Sequence, residues 1–273
     1  MDAPSGSRVL VLGASGFLGS RLVASDPSIF DPLPLSRINS ECDLAELEAV
    51  IQVVTAGKEE TTVVNCLGSR SGPREEMTLL NATLPKVLGS AADRFGFHLV
   101  HLASAAEIVE PLGNNLMTDY QLTKREGTME CLSNANVTVL RIFNIHGLPH
   151  QTDSGLHALC ASLRSHSRNR KPNAVADTLR DYVHWQEVVR QIAIATKNRP
   201  RGLQECATGV GIRISDIVTE FPPGISESLE KSLVAADMYS GAVGTDAVLS
   251  DSVPEPKLLA AALAQEVITC ASS

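Results

Sequence analysis

The sequence predicts an α/β protein: a doubly wound parallel sheet flanked by helices, with a smaller region toward the C-terminus. Three observations predict it. Near the start, Arg8-Val9-Leu10-Val11-Leu12 reads as a buried strand and runs into Gly13-Ala14-Ser15-Gly16-Phe17-Leu18-Gly19, three glycines at intervals of three. Short aliphatic runs then alternate with segments of helical period. From Gly147 onward that alternation loosens.

The length of 273 residues accommodates one large domain, or a large domain with an appendage. Hydrophobic residues make up 44% and aromatic ones only 4%, so the core is aliphatic and offers few rings for stacking on single-stranded nucleic acid. A net charge of −8 gives no basic footprint for a nucleic-acid backbone or a membrane surface. The six cysteines, Cys42, Cys66, Cys131, Cys160, Cys206 and Cys270, are scattered without a C-x-x-C pair. They are expected as reduced, buried thiols, and no metal site is expected. No apolar run approaches the ~18 residues that span a bilayer. The chain enters its first strand by Arg8, which leaves no room for a signal peptide, so a cytoplasmic protein is expected.

Taken in order, the first helix follows the glycines through Phe17, Leu18, Leu22 and Val23. A second strand is expected over 32–37, short because Pro32 and Pro34 lie in it, and ending in Ser36 and Arg37. Asp43, with Glu46 three residues on, reads as the cap of a helix running to about Thr55. Residues 61–66 form a buried strand that ends in the small-residue turn Leu67-Gly68-Ser69. A helix over 75–94 carries Asn81, and Pro85 kinks it or marks a second start. A strand over 97–103 has Ser104 just beyond its end. After a loop, a helix from Thr118 carries Tyr120 and Lys124, and a strand over 137–142 precedes Asn144. The remainder reads as a helix over 156–163, a basic loop over 164–171, a helix over 181–195, a strand over 203–207, a short helix over 214–221 and an apolar helix over 258–268. Residues 222–253, rich in Ser, Gly and Pro, give no readable order.

The glycine turn between strand and helix suits a diphosphate. Small residues admit its oxygens to the backbone, and the helix start offers unpaired N–H groups and a positive dipole end. Gly13, Gly68, Ser104 and Asn144 all fall at carboxyl ends of strands, where such sheets bind ligands. At the end of the second strand an acidic residue would hold the 2′-hydroxyl of NAD. Ser36 and Arg37 suit a 2′-phosphate instead and favour NADP, with NAD the alternative; a solvated surface role for Arg37 stays open. Tyr120 and Lys124, four residues apart, share one helix face. The ammonium is expected to lower the phenol from its ordinary value near 10, so that Tyr120 exchanges a proton with a carbonyl or alcohol. Ser104 would bond the same oxygen.

These stretches, with Asp43-Leu44, Leu140-Arg141-Ile142-Phe143-Asn144-Ile145-His146-Gly147 and Arg180-Asp181-Tyr182-Val183-His184-Trp185, resemble the extended short-chain dehydrogenase/reductases that act on nucleotide sugars. The resemblance implies a Rossmann-type dinucleotide-binding domain over 1–150, to which the chain returns over 174–208, and a smaller substrate-binding region over 151–173 and 209–273. It implies a catalytic set of Ser104, Tyr120 and Lys124. Cofactor contacts would come from Gly13, Ser15, Gly16, Phe17, Leu18, Gly19, Ser36, Arg37, Asp43, Leu44, Leu67, Gly68 and Asn81, together with Tyr120 and Lys124. Ser104, Asn144 and Arg180 would face the nucleotide-sugar substrate; for Arg180, pairing with Asp181 or Glu187 stays open. His146 and His184 read as structural. A homodimer through the 75–94 and 118–134 helices is also implied.

Two departures from the family pattern narrow the function. Glu107-Ile108-Val109 stands where relatives carry an aromatic, and alanines replace the acidic pair that sugar dehydratases place beside the triad hydroxyl. The expected activity is an NAD(P)-dependent ketoreductase on a nucleotide-activated keto-deoxysugar, most like the dTDP-4-keto-6-deoxysugar reductases. An epimerase with bound NAD, or a non-catalytic NADP-binding sensor, are the alternatives.

Overall fold

A computed structural model describes residues 8–33, 41–56, 60–109, 116–147, 155–235, 244 and 254–272. Ser36 and Arg37 lie outside the described residues. The chain forms two compact units, one of Met1–Glu107, Met117–Ile142 and Val189–Gln204, the other of Ile108–Leu116, Phe143–Val188 and Glu205–Ser273.

The first unit runs β1 (Val9–Leu12), α1 (Phe17–Ser25), β2 (Phe30–Pro32), α2 (Glu41–Thr55), β3 (Thr62–Asn65), α3 (Arg74–Thr78), a π-turn (Leu79–Thr83), α4 (Leu84–Phe95), β4 (His98–Ser104), a 3-10 turn (Ala105–Ile108), α5 (Asp119–Leu132) and β5 (Val137–Ile142). Its sheet has the order β2-β1-β3-β4-β5 and closes with β9 (Gly202–Cys206). The first five strands pair in parallel. β1, aliphatic throughout, and β3, with Val63 and Val64 at its centre, are buried along their whole length, as strands with both faces covered are. The chain leaves β1 toward β2 and returns on the other side of β1 as β3. The sheet therefore switches direction between β1 and β3, and the glycine turn and Leu67-Gly68 sit at the carboxyl ends of those two strands. One sheet face packs on α2, α4 and α5 through Leu12, Val63, Leu99, Leu47, Leu88 and Cys131. This is a doubly wound, Rossmann-like α/β fold.

The second unit carries β6 (Asn144–His146), α6 (Gly155–Ser167), β7 (Val175–Asp177) and β8 (Leu179–His184), which leads into α7 (Trp185–Asn198). After β9 come β10 (Gly211–Arg213), α8 (Ile214–Thr219), α9 (Pro223–Glu230), β11 (Leu233–Ala235) and α10 (Pro256–Ser272). β8 pairs with β10 antiparallel and with β6 in parallel, while β11 pairs with β7. An apolar cluster of Leu159, Tyr182, Ile214, Ile217, Leu263 and Val267 joins α6, β8, α8 and α10.

Several boundaries differ from the sequence expectation. β2 lies at Phe30–Pro32, earlier than expected. Pairing with β1 fixes it there, and the amide of Leu33 still donates to the Val11 carbonyl at 2.9 Å. α2 begins at Glu41, so Asp43 sits inside the first turn and is not the cap. The helix expected over 75–94 is α3 and α4 joined by the π-turn, with Pro85 in the first turn of α4, where its missing N–H removes no intrahelical bond. Ser104 is the last residue of β4, not the residue beyond it. Residues 181–184 are strand, because Tyr182 and Val183 are buried between neighbours on both sides of β8. α6 continues through Ser167 into the stretch expected as a loop. Among the described residues the cysteines are free, no group of side chains is set to hold a metal, and no helix is long and apolar enough to cross a membrane.

Candidate active site

The site is built at the carboxyl ends of β1, β3 and β4. Gly13 turns the chain with φ +81°, and a Cβ there would press on Leu67 at 3.0 Å. The Gly16 amide closes the turn on the Gly13 carbonyl at 2.9 Å. Gly16 caps α1 without a side-chain hydrogen bond, and the first turn of α1 holds no acidic residue. The first turn of α1 itself supplies no carboxylate to its orphan N–H groups, so the cradle fits an anionic group such as a diphosphate. Phe17 is exposed and Gly19 is packed on the turn.

Two asparagines shape the segment after β3. Asn65 accepts the Leu67 amide at 3.1 Å through Oδ1 and approaches the His101 ring, with Nδ2 3.2 Å from Nδ1. Asn81, fully buried in the π-turn, accepts the Ser69 amide at 3.0 Å and donates to the Ser69 carbonyl at 2.7 Å and to the Thr123 hydroxyl at 3.1 Å. Asn81 thereby ties the β3 loop to α5. The π-turn is what brings it there, and such turns are frequent at functional sites. Gly68 lies under this clamp: a Cβ on it would stand 3.0 Å from Lys124 Nζ and 3.1 Å from Asn81 Oδ1.

α5 starts at Thr118 with a capping box, the Thr118 hydroxyl accepting the Gln121 amide and the Gln121 side chain accepting the Thr118 amide. Gln121 also donates to the Ala106 carbonyl at 3.1 Å, which fastens the 3-10 turn after Ser104 to the helix start. The helix thus brings Tyr120 to Ser104, near enough for the serine hydroxyl to favour the phenolate. Lys124 is buried, with Nζ donating to the Leu102 carbonyl at 3.2 Å. Burial brings its ammonium down to about 8, against the upward pull of Glu107.

The phenol corrects one expectation. Burial raises Tyr120 above its ordinary value, outweighing the Ser104 hydrogen bond and the charge of Arg70, and Glu107 raises it further. Lys124 turns its ammonium to the Leu102 carbonyl and does not bring the phenol below its ordinary value. The protein alone therefore keeps Tyr120 protonated.

Asn144 and Arg180 lie in the second unit and touch each other. The Arg180 guanidinium donates to Asn144 Oδ1 at 3.3 Å and to the Thr178 hydroxyl at 3.1 Å, while Asn144 donates to the Asp181 carbonyl at 3.0 Å. Asp181 is fully buried, and its carboxylate accepts the amides of Thr208 and Gly209 and the Thr208 hydroxyl, so it organises the turn after β9. His146 packs edge-on to His184 and lies 3.3 Å from the Glu266 carboxylate on α10, which also accepts the Gly147 amide. Leu44 is buried on α2, beside Asp43.

Three polar residues near Lys124 escaped the sequence reading: Glu107, Thr128 and Arg141. The one signal for Glu107 was a lone carboxylate among Ala105, Ala106, Ile108 and Val109.

The switch-point glycines, with Ser104 at the end of β4 and Tyr120 on α5, lie at the ligand-binding edge of a Rossmann-like sheet. Residues 9–206 match the NAD dependent epimerase/dehydratase family, and the chain belongs to it, within the short-chain dehydrogenase/reductase superfamily. Among curated proteins none matches the sequence. Among solved structures, the Bordetella bronchiseptica enzyme WbmG in complex with NAD and UDP superposes with a TM-score of 0.71 at 19% identity, covering 98% of this chain and 97% of its own. The RMD protein of Pseudomonas aeruginosa complexed with NADPH gives 0.67 at 16%, covering 97% and 100%. The dTDP-4-dehydrorhamnose reductase of Bacillus anthracis in complex with NADP gives 0.64 at 13%, covering 98% and 100%.

Proposed function

We propose that the protein is a ketoreductase acting on a nucleotide-activated keto-deoxysugar, dTDP-linked by resemblance, with NADPH as hydride donor and Tyr120 as proton donor. The observation that carries this reading is the placement of Tyr120 by Ser104, with buried Lys124 one helical turn along. A phenol kept protonated by burial is suited to act first as an acid, as reduction requires. The NADP- and NADPH-bound structural neighbours support the cofactor, as do Ser36 and Arg37 in the sequence.

A bound nicotinamide dinucleotide supplies the hydride. Gly13, Ser15, Gly16, Phe17, Leu18 and Gly19 would hold its diphosphate, Asp43 and Leu44 its adenine side, and Leu67, Gly68, Asn81 and Lys124 its nicotinamide side. Tyr120 gives its phenolic proton to the substrate carbonyl oxygen, so that one O–H bond breaks and another forms. Ser104 donates to the same oxygen while charge builds there. The Lys124 ammonium favours the phenolate left behind. Asn144 and Arg180 would hold the substrate diphosphate, for which a guanidinium offers paired donors.

Consumption of NADPH on addition of dTDP-4-keto-6-deoxyglucose tests the reading. Tyr120→Phe is expected to slow it roughly 10²–10⁴-fold. Silence across a panel of nucleotide keto-sugars overturns it. The second reading, an epimerase with tightly held NAD, draws support from the NAD and UDP ligands of WbmG. One NAD released per denatured chain, without net NADPH turnover, would favour it. The enzyme would work in the cytoplasm on a small nucleotide sugar, with neither nucleic acid nor membrane as partner. It would form a homodimer, for which the exposed Leu122, Met129 and Leu132 of α5 offer an apolar face. Sedimentation at a single chain's mass would count against the dimer.

A further inference from the structure

We infer that Glu107 is a positioning residue for the Tyr120–Lys124 pair: a buried carboxylate, pinned by Thr128 and Arg141, that holds the Lys124 side chain as an ammonium. The inference rests on the reading of Ser104, Tyr120 and Lys124 given above. It starts from a residue that is costly to bury. Glu107 is 1% exposed, on the 3-10 turn that directly follows Ser104. An unpaired carboxylate there would destabilise the fold by several kcal/mol or neutralise itself.

Burial raises the Glu107 carboxyl above its ordinary value, and the hydrogen bonds from Thr128 and Arg141 oppose that rise. Oε1 accepts Arg141 Nε at 2.8 Å, and Oε2 accepts the Thr128 hydroxyl at 2.6 Å. Both oxygens are acceptors, as in an ionised carboxylate. The Arg141 side chain is itself only 12% exposed, so the pair is shielded from solvent. Thr128 then ties Glu107 to the reacting residues. Tyr120, Lys124 and Thr128 follow at intervals of four along α5 and form one row on its face. The carboxylate that bonds the last of them acts on both others, raising Tyr120 and raising Lys124.

The other titratable groups around Lys124 do not replace it. Cys66 and Cys131 are pushed up to about 12 by burial and stay neutral thiols. His101 on β4 is held well below its ordinary range by burial and by Lys124 itself, so its ring is neutral. Among the described groups that face Lys124, Glu107 is thus the one whose negative charge is sustained by a paired guanidinium. Burial alone drives the lysine toward the free amine, and Glu107 opposes it.

The test is the titration of Lys124 in the full chain, read by 13C NMR from the lysine Cε resonance that vanishes in Lys124→Met. Glu107→Gln is expected to move its midpoint down by about one pH unit. The alkaline limb of NADPH affinity, read by fluorescence, should move down with it. Glu107→Gln leaves Arg141 buried without its partner, so Glu107→Val with Arg141→Leu provides a second variant of apolar character. A smaller downward shift is expected in it, because the variant also removes the Arg141 cation. Glu107→Asp should restore part of the wild-type midpoint. A midpoint unchanged in both the single and the double variant overturns the inference. Absence of dinucleotide binding by the wild type at every pH would instead overturn the functional reading, while the NMR midpoints would still decide the role of Glu107.

Discussion

A Cβ on Gly19 would lie 2.2 Å from the carbonyl oxygen of Gly13 and 2.8 Å from its carbonyl carbon. The third glycine of the turn is therefore demanded by contact with the first, since α1 rests directly on the backbone it springs from. Both atoms are backbone and have no rotamer by which to yield. Gly19→Ala should destabilise the protein by about 1–3 kcal/mol, as overpacking of a tight site does. It should also weaken dinucleotide binding, because the N–H groups that start α1 move with the helix. Thermal melting and a fluorescence titration with NADPH read the two effects. Gly96→Ala makes a useful contrast: its Cβ meets nothing within 4 Å, and its penalty comes from φ +76° alone.

Asn81→Ala should remove more than one hydrogen bond. The side chain satisfies both the amide and the carbonyl of Ser69 and bonds the Thr123 hydroxyl, all from a buried position. Truncation leaves these partners without it, with an expected loss of about 1–3 kcal/mol per group stranded in the interior. The loop that carries Gly68 should loosen. Faster amide exchange at residues 67–69, with little change in the β1 strand, is the expected signature. Equal exchange in wild type and variant would show that Asn81 does not hold the loop.

What was legible in the sequence was what neighbours in sequence decide. β1 is an uninterrupted aliphatic strand, β3 centres on Val63 and Val64, and α5 starts at Thr118 as its sequence indicates. The obscure parts are decided by distant residues. Trp185, Val188, Val189 and Ile192 fit a helical period that the sequence reading extends back to Asp181, yet Tyr182 and Val183 belong to a strand because β6 and β10 flank them. The π-turn exists where α5 closes on it, with a Cβ at Gly127 only 1.9 Å from the Asn81 carbonyl oxygen. Tyr120 and Lys124 could be singled out from their spacing of four, and Ser104 from its place near a strand end. The raised phenol of Tyr120 could not, because it depends on burial, and neither could Glu107, whose partner Arg141 is 34 residues away.

Acid should weaken the fold through His98. Its ring bonds the Thr138 hydroxyl at 2.8 Å, and burial, aided by Arg199 and Arg201, brings it from 6.5 down to about 4. The folded value lies below the unfolded one, so the unfolded chain binds the extra proton first. The contribution of His98 is complete above about pH 6.5 and is lost as pH falls toward 4. Melting temperature should therefore drop through this window. His98→Gln keeps a donor for Thr138 without a titrating ring, and its profile should be shallower. Parallel profiles for the two proteins would exclude His98 as the source.

Lys124 should trade stability for function. Its folded value of about 8 lies below the ordinary 10.5, with burial as the main cause. A depressed value means that the unfolded chain takes up the proton first as pH falls. The stability associated with the neutral amine is present above about pH 10.5 and lost through pH 8, so below pH 8 the buried ammonium burdens the fold by roughly 3 kcal/mol. Lys124→Met is apolar and of similar length. At pH 7 it should melt higher than wild type, and the gap should narrow as pH rises toward 10. In the same variant, NADPH affinity and turnover of a keto-sugar should fall together, because the charge that burdens the fold is the one that serves the ribose and the phenolate. A variant that melts lower at pH 7, with a gap independent of pH, would mean that the Leu102 bond outweighs the burial of charge.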